Sequence, residues 1–192
     1  MKVILGIGNP GLRYKFSRHN LGFSVVERLA QKNRLKIRRK NFNYSYAQTN
    51  LGAEPLLLVK PETFVNLSGR VASVLVREKE IAARDLLVVC DDINLPLGKM
   101  RIKASGSAGG HQGLRSIIQA LATEDFSRLR IGVGQPEAAA ESSRRGAKLT
   151  RHVLGRFNKQ EARIITQAVE AACACCQAWF ERGINAAMNE FN

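Results

Sequence analysis

Lys2-Val3-Ile4-Leu5-Gly6-Ile7-Gly8-Asn9-Pro10-Gly11, with Arg18-His19-Asn20 close behind, is a short apolar strand running into a glycine-rich turn that delivers a histidine. Open α/β proteins place their chemistry in loops at the ends of buried strands. The stretch also matches G-x-G-x-x-G through Gly6, Gly8 and Gly11, the dinucleotide-binding pattern, which needs a helix starting inside the glycine run to hold a pyrophosphate. Pro10 disfavours helical geometry at Asn9, and 12–18 carries no clean apolar stripe. Glu27, near the distance of a ribose-binding acid, sits in an amphipathic helical pattern rather than at a strand end. The expectation is therefore a catalytic turn without a nucleotide cofactor.

Outward from this stretch, strand and helix patterns alternate. Apolar runs at Leu56-Leu57-Leu58-Val59, Leu86-Leu87-Val88-Val89 and Leu129-Arg130-Ile131-Gly132-Val133 read as buried strands. Helical stripes separate them: Leu21, Val25, Val26 and Leu29; Phe64, Leu67, Val71, Val74 and Leu75; Leu114, Ile117, Ile118 and Leu121. Residues 44–51 and 56–59, joined through Gly52-Ala53-Glu54, read as a hairpin, and Met100 to Lys103 as a short edge strand. The fold class implied is α/β: one domain over 1–192, with a mixed, mostly parallel twisted sheet and helices on both faces. Residues 135–151 read as a lid or loop, and 158–182 as a C-terminal helix.

The 192 residues suffice for one sizeable core. No apolar run reaches the ~20 residues of a membrane span, and the N-terminal residues lack the regions of a secretory signal. A cytoplasmic protein with no membrane partner is expected. Four cysteines, three of them in Cys173-Ala174-Cys175-Cys176, suit packing in a reducing compartment better than disulfides. Thirty Lys and Arg against 16 Asp and Glu give a formal charge of +14, which points to a polyanionic partner, nucleic acid before membrane. The charge gathers in two runs, one from Lys32 to Lys40 and one of Arg144, Arg145, Lys148 and Arg151.

Three histidines are present. His19 and His111 occupy loops beside strand ends, whereas His152 reads as a surface or packing residue. Asp91 ends the strand Leu86 to Val89 and stands where it can hold one nitrogen of His19, leaving the other to take a proton. The neighbouring Asp92 offers a metal-carboxylate alternative, but H-E-x-x-H and Cys/His ligand spacings are absent from the sequence. No G-x-S-x-G elbow supplies a serine nucleophile, and Cys90 follows a buried strand. A His–Asp base acting on water remains, with the amides of Asn9, Asn66 and Gln112 available to bind carbonyl oxygens. That equipment suits hydrolysis of an activated ester.

Six ordered blocks carry a closer resemblance: residues 6–11 with Tyr14; Arg18-His19-Asn20-Leu21-Gly22; Lys60-Pro61-Glu62-Thr63-Phe64-Val65-Asn66-Leu67-Ser68-Gly69; Asp91-Asp92-Ile93-Asn94-Leu95-Pro96-Leu97-Gly98; Gly109-Gly110-His111-Gln112-Gly113-Leu114; and 126–134. Together they resemble bacterial peptidyl-tRNA hydrolase. The resemblance implies a metal-free, cofactor-free esterase in which His19 activates water, Asp91 holds it in its basic form and Asn9 senses a blocked amino group. It further implies that Tyr14, Phe64, Asn66, His111 and Gln112 line the site for the peptide and the tRNA 3′ end, with Lys103 and Arg130 contacting phosphate of the acceptor stem. The chain departs from the family pattern at Val65 (usually methionine), Asn94 (usually aspartate) and Gln112 (usually asparagine). Homologues of this fold in plant organelles act in intron splicing, so a catalytically weak RNA-binding protein is the alternative. Without coiled-coil heptads or a large exposed apolar stripe, a monomer is expected.

Overall fold

The computed structural model describes residues 1–39, 43–51, 54–136 and 145–192. A seven-stranded sheet in the order β2-β3-β4-β1-β5-β7-β6 forms its centre. The strands are β1 (Lys2–Gly6), β2 (Arg38–Arg39), β3 (Tyr44–Leu51), β4 (Glu54–Pro61), β5 (Leu86–Asp92), β6 (Met100–Lys103) and β7 (Ser127–Gly132). The four central strands β4, β1, β5 and β7 run parallel, while β3 and β6 pair antiparallel to β4 and β7. The mixed sheet, its hairpin and its edge strand follow the sequence pattern. Residues 52 and 53 of the hairpin turn lie outside the described residues, as do Lys40 and residues 137–144 with Arg144.

Successive side chains of a strand point to opposite faces, so each buried strand feeds two cores. Ile4, Leu56, Leu58, Leu87 and Val89 pack against α1 (Leu21–Lys32) and the C-terminal α5 (Lys159–Phe191). Val3, Leu5, Leu57, Val59, Leu86 and Val88 pack against α2 (Ser68–Glu78) and α3 (Gln112–Leu121). The continuous apolar runs of β1, β4 and β5 are the sequence trace of this double coverage.

Two elements differ from the sequence expectation. Residues Arg145–Leu154 form a helix, α4, so this part of the presumed lid or loop is regular structure. His152 secures it: its Nε2 lies 3.2 Å and 3.0 Å from the carbonyl oxygens of Val133 and Gly134, just past β7. The final helix runs on beyond residue 182 to Phe191, kinking at Gly183, whose φ of 84° is a conformation glycine tolerates.

Gly6 and Gly8 of the N-terminal motif serve packing. A Cβ at Gly6 would meet the carbonyl oxygen of Gly22 at 2.2 Å, and one at Gly22 would meet that of Val89 at 2.3 Å. The first turn of α1 thus lies directly on the backbones of β1 and β5, which fixes where His19 emerges. Gly22→Ala should cost about 3 kcal/mol in urea unfolding, the upper part of the usual overpacking range, because the clash is with backbone. Gly146→Ala, in open space on α4, should instead be neutral or stabilising by up to ~1 kcal/mol. Equal stability of the two variants would contradict the close crossing.

Candidate active site

A cleft of about 500 Å³ opens outside the carboxyl ends of β1, β4 and β5. From β1 the chain leaves to pair β4 on one side and later β5 on the other, so the loops there diverge and leave a crevice. The loop after β1 supplies Asn9 and His19, the loop after β4 supplies Phe64 and Asn66, β5 supplies Asp91 and Asp92, and the start of α3 supplies His111 and Gln112. Leu149, Thr150, Val153 and Leu154 of α4 form the facing wall.

Asp91 is 1% exposed, and its Oδ1 receives both histidines: His19 Nδ1 at 2.6 Å and His111 Nε2 at 3.1 Å. His111 is the N-cap of α3, with its Nδ1 accepting the backbone N–H groups of Gly113 at 3.1 Å and Leu114 at 3.2 Å. A nitrogen that accepts two N–H donors carries no proton, so Nε2 carries it and donates to Asp91. His19 donates to the same oxygen through Nδ1, which leaves its Nε2 lone pair available in the cleft. Burial opposes ionisation of Asp91, but the two imidazoles, by charge and by hydrogen bonding, hold the carboxyl well below the usual carboxylate range. Burial likewise opposes charge on His19, and the Asp91 carboxylate outweighs it, raising the imidazole above its ordinary 6.5.

Asn9 is clamped from both sides. Its backbone N–H donates to Asn20 Oδ1 at 2.8 Å, and Asn20 Nδ2 returns a bond to its carbonyl at 3.0 Å. Asn9 Oδ1 accepts the N–H of Val65 at 3.0 Å, tying the β1 loop to the β4 loop. Its Nδ2 has no partner among the described residues, so the amide is presented as a donor. Asn66 and Gln112 are exposed on the cleft wall, Gln112 as the first residue of α3. Tyr14 stands outside the lining and meets the half-exposed Phe64 edge-on, with ring centroids 6.3 Å apart. Arg130 lines the cleft with Nε 3.0 Å from Asp92 Oδ2, an ion pair without hydrogen-bond alignment. Lys103 is exposed on the edge strand β6, away from the cleft lining.

Arg18 and Arg128 hold this arrangement and were given no role from sequence. Arg18 reaches Glu161 through Nη2 at 3.0 and 2.8 Å, and Glu161 is also half of the capping box that starts α5. The buried Arg128 donates to the carbonyls of Phe126, Glu124 and Gly106, anchoring the glycine-rich approach to His111. Asp92 is occupied, with Oδ1 accepting the N–H of Asn94 at 2.8 Å and Oδ2 facing Arg130. That engagement disfavours the metal-carboxylate alternative. Cys90, Cys173, Cys175 and Cys176 are buried, and burial pushes each thiol up, away from the reactive thiolate.

The family profile described as Peptidyl-tRNA hydrolase matches residues 3–192. The chain belongs to the peptidyl-tRNA hydrolase family. Curated relatives named peptidyl-tRNA hydrolase include one from Bacillus subtilis (strain 168), 41% identical over 192 residues, covering 100% of this chain and 98% of its own. Another, from Desulforamulus reducens, is 40% identical over 192 residues, covering 100% of this chain and 89% of its own. A solved peptidyl-tRNA hydrolase from Acinetobacter baumannii superposes with a TM-score of 0.90 at 31% identity, covering 100% of this chain and 94% of that one. The single α/β domain is the fold shared with these relatives.

The geometry makes a direct forecast for His19. Its ring protons, followed by NMR against pH, should titrate above 6.5. Asp91→Asn should bring the midpoint down, because the amide offers no charge to stabilise the imidazolium. An unmoved midpoint would separate the two side chains.

Proposed function

We propose that this chain hydrolyses the ester joining a peptide, or an N-acyl-aminoacyl group, to the 3′ end of tRNA. The observation that carries the reading is the 2.6 Å contact of His19 Nδ1 with the buried Asp91 carboxylate, which leaves His19 Nε2 free beside the cleft. Membership of the family names the substrate class.

In this mechanism a water placed between His19 Nε2 and the ester carbonyl carbon gives its proton to the imidazole as its oxygen attacks. Asp91 stabilises the resulting imidazolium. The Nδ2 donor of Asn9 and the Gln112 amide lie where they can receive charge building on the carbonyl oxygen, helped by the positive end of α3. Collapse of the tetrahedral intermediate breaks the bond to the ribose oxygen, and the imidazolium returns its proton to that leaving group. The products are a free carboxylate and tRNA.

No metal is assigned a part. His19 Nδ1, Asp91 and His111 offer ligand atoms within 4.8 Å of one another, but both histidines direct N–H donors at the carboxylate rather than lone pairs at a common centre. A cofactor is likewise absent from the proposal. Acceptor-stem phosphates are read by the basic surface, with Lys103 and Arg130 among the contacts and α4 as a covering wall near the 3′ end. None of the described helices is long and apolar enough to cross a membrane, and action as a cytoplasmic monomer fits this substrate. The intact His19–Asp91 pair favours an enzyme over a silent RNA-binding homologue.

His19→Ala should lower turnover of N-acyl-aminoacyl-tRNA by at least ~10²-fold while leaving binding of an uncleavable substrate nearly unchanged. Retained turnover would overturn the mechanism. Gln112→Asn tests the family departure. The shorter amide, restrained at the first turn of α3, should preserve the rate or raise it up to about tenfold, ~1.4 kcal/mol of transition-state energy. A large loss in single-turnover measurements would show a pocket built around glutamine.

A further inference from the structure

The loop that delivers His19 exposes a feature the proposed mechanism does not use. Leu12 and Phe16 are 86% and 61% exposed, the most exposed of the large apolar side chains among the described residues. A lone exposed apolar side chain is ordinary on a protein surface, and what sets Phe16 apart is its place beside the cleft and the cations around its ring. Cations stand against these rings: Arg13 lies 5.7 Å from the centroid of Tyr14, while Lys15 and Arg156 lie 5.5 Å and 5.8 Å from that of Phe16. The order Arg13-Tyr14-Lys15-Phe16 thus alternates cation and ring. Arg156 comes from the segment after α4 and is fixed there by the antiparallel bridge between Ser17 and Arg156 and by the Arg18 N–H to the Gly155 carbonyl at 2.9 Å.

This pairing lies next to the reacting groups. His19 follows Phe16 by three residues, and Leu154, which lines the cleft, precedes Arg156 by two. Tyr14 in turn meets Phe64 on the cleft wall. An exposed ring with flanking ammonium and guanidinium groups matches one chemistry closely: a nucleobase stacking on the ring while its phosphates meet the cations. An apolar peptide side chain has use for the ring alone and leaves the cations unanswered. The overall +14 charge strengthens the choice.

Resting on the hydrolase reading for the identity of the RNA, we propose that Phe16, with Lys15 and Arg156, is a stacking site for an unpaired base of the substrate's single-stranded 3′ end. The duplex is held elsewhere, and Phe16 contributes to locating the strand that leads to the ester. It acts on binding of the strand and takes no part in proton transfer.

The test uses the full chain and two fluorescent RNA minihelices of one acceptor-stem sequence, one with an unpaired four-nucleotide 3′ end and one blunt. Phe16→Ala should weaken binding of the overhang RNA at least about fivefold, the loss expected for one base–aromatic stack. Blunt RNA should bind both proteins alike, and Phe16→Trp should retain the overhang preference. An equal loss on both RNAs, or no loss on either, would overturn the stacking site. So would a loss that appears only when an apolar N-acyl group is attached, since that assigns the ring to the peptide. Wild-type ester turnover is measured alongside: turnover without a Phe16-dependent overhang effect rejects the stacking site alone, whereas the overhang effect without turnover rejects the hydrolase reading alone.

Discussion

One oxygen atom, Oδ1 of Asp91, sets the terms for everything around it. A carboxylate buried to this degree, at 1% exposure, is costly unless its charge is met by donors. Here two imidazole N–H groups arrive at the same atom, at 2.6 and 3.1 Å. Each comes from a segment with little freedom to move. His19 stands in a turn held between the Asn9–Asn20 clamp and the first turn of α1, which is pressed onto β1 and β5. His111 is part of a helix cap. Removing either donor leaves a buried charge partly unpaired, so the site's chemistry and its local stability are one problem.

The fold answers that problem with backbone. β5 carries Asp91 to the sheet end, between β1 and β7, and the cleft forms where connections from β1 part to either side. Small residues allow the approach: a side chain at Gly22 would drive α1 off the strands and take His19 with it. The facing wall is fixed by polar contacts, through His152 to the carbonyls after β7 and through Arg18 to the capping box of α5. Apolar burial builds the platform, and directional bonds at its edge aim the side chains.

Much of this was legible in the sequence because it was written in period and punctuation. Doubly buried strands appear as runs such as Leu56-Leu57-Leu58-Val59, and the helices between them as stripes. His19 and Asp91 were visible because both sit at strand ends, where topology makes residues distant in sequence converge. The pairing of His111 with the same carboxylate was not visible. It depends on a capping geometry that propensity does not encode, although a histidine at the head of an apolar helical stripe was a faint signal. The roles of Arg18 and Arg128 had no sequence signal, since a buried arginine is recognisable only once its carbonyl or carboxylate partners are placed. α4 was hidden by its composition: Arg145-Gly146-Ala147-Lys148 carries a glycine and few apolar residues, and its place is fixed by His152 and by the cleft wall.

The two histidines on one oxygen show how environment divides roles between identical side chains. In each ring one nitrogen donates to Asp91, so the other nitrogen decides what the residue can do. For His111 that nitrogen is spent on the N–H groups of Gly113 and Leu114, and protonating it would cost α3 its cap. For His19 it faces the cleft. A proton delivered to His19 therefore breaks no structural bond and strengthens its attraction to Asp91, whereas one delivered to His111 would strip two helix donors of their acceptor. Asp91 thus raises the basicity of His19, while the second nitrogen of His111 is committed to the helix terminus. On this ground we assign the general base of the proposed reaction to His19, and to His111 the part of holding the Asp91 carboxylate in place.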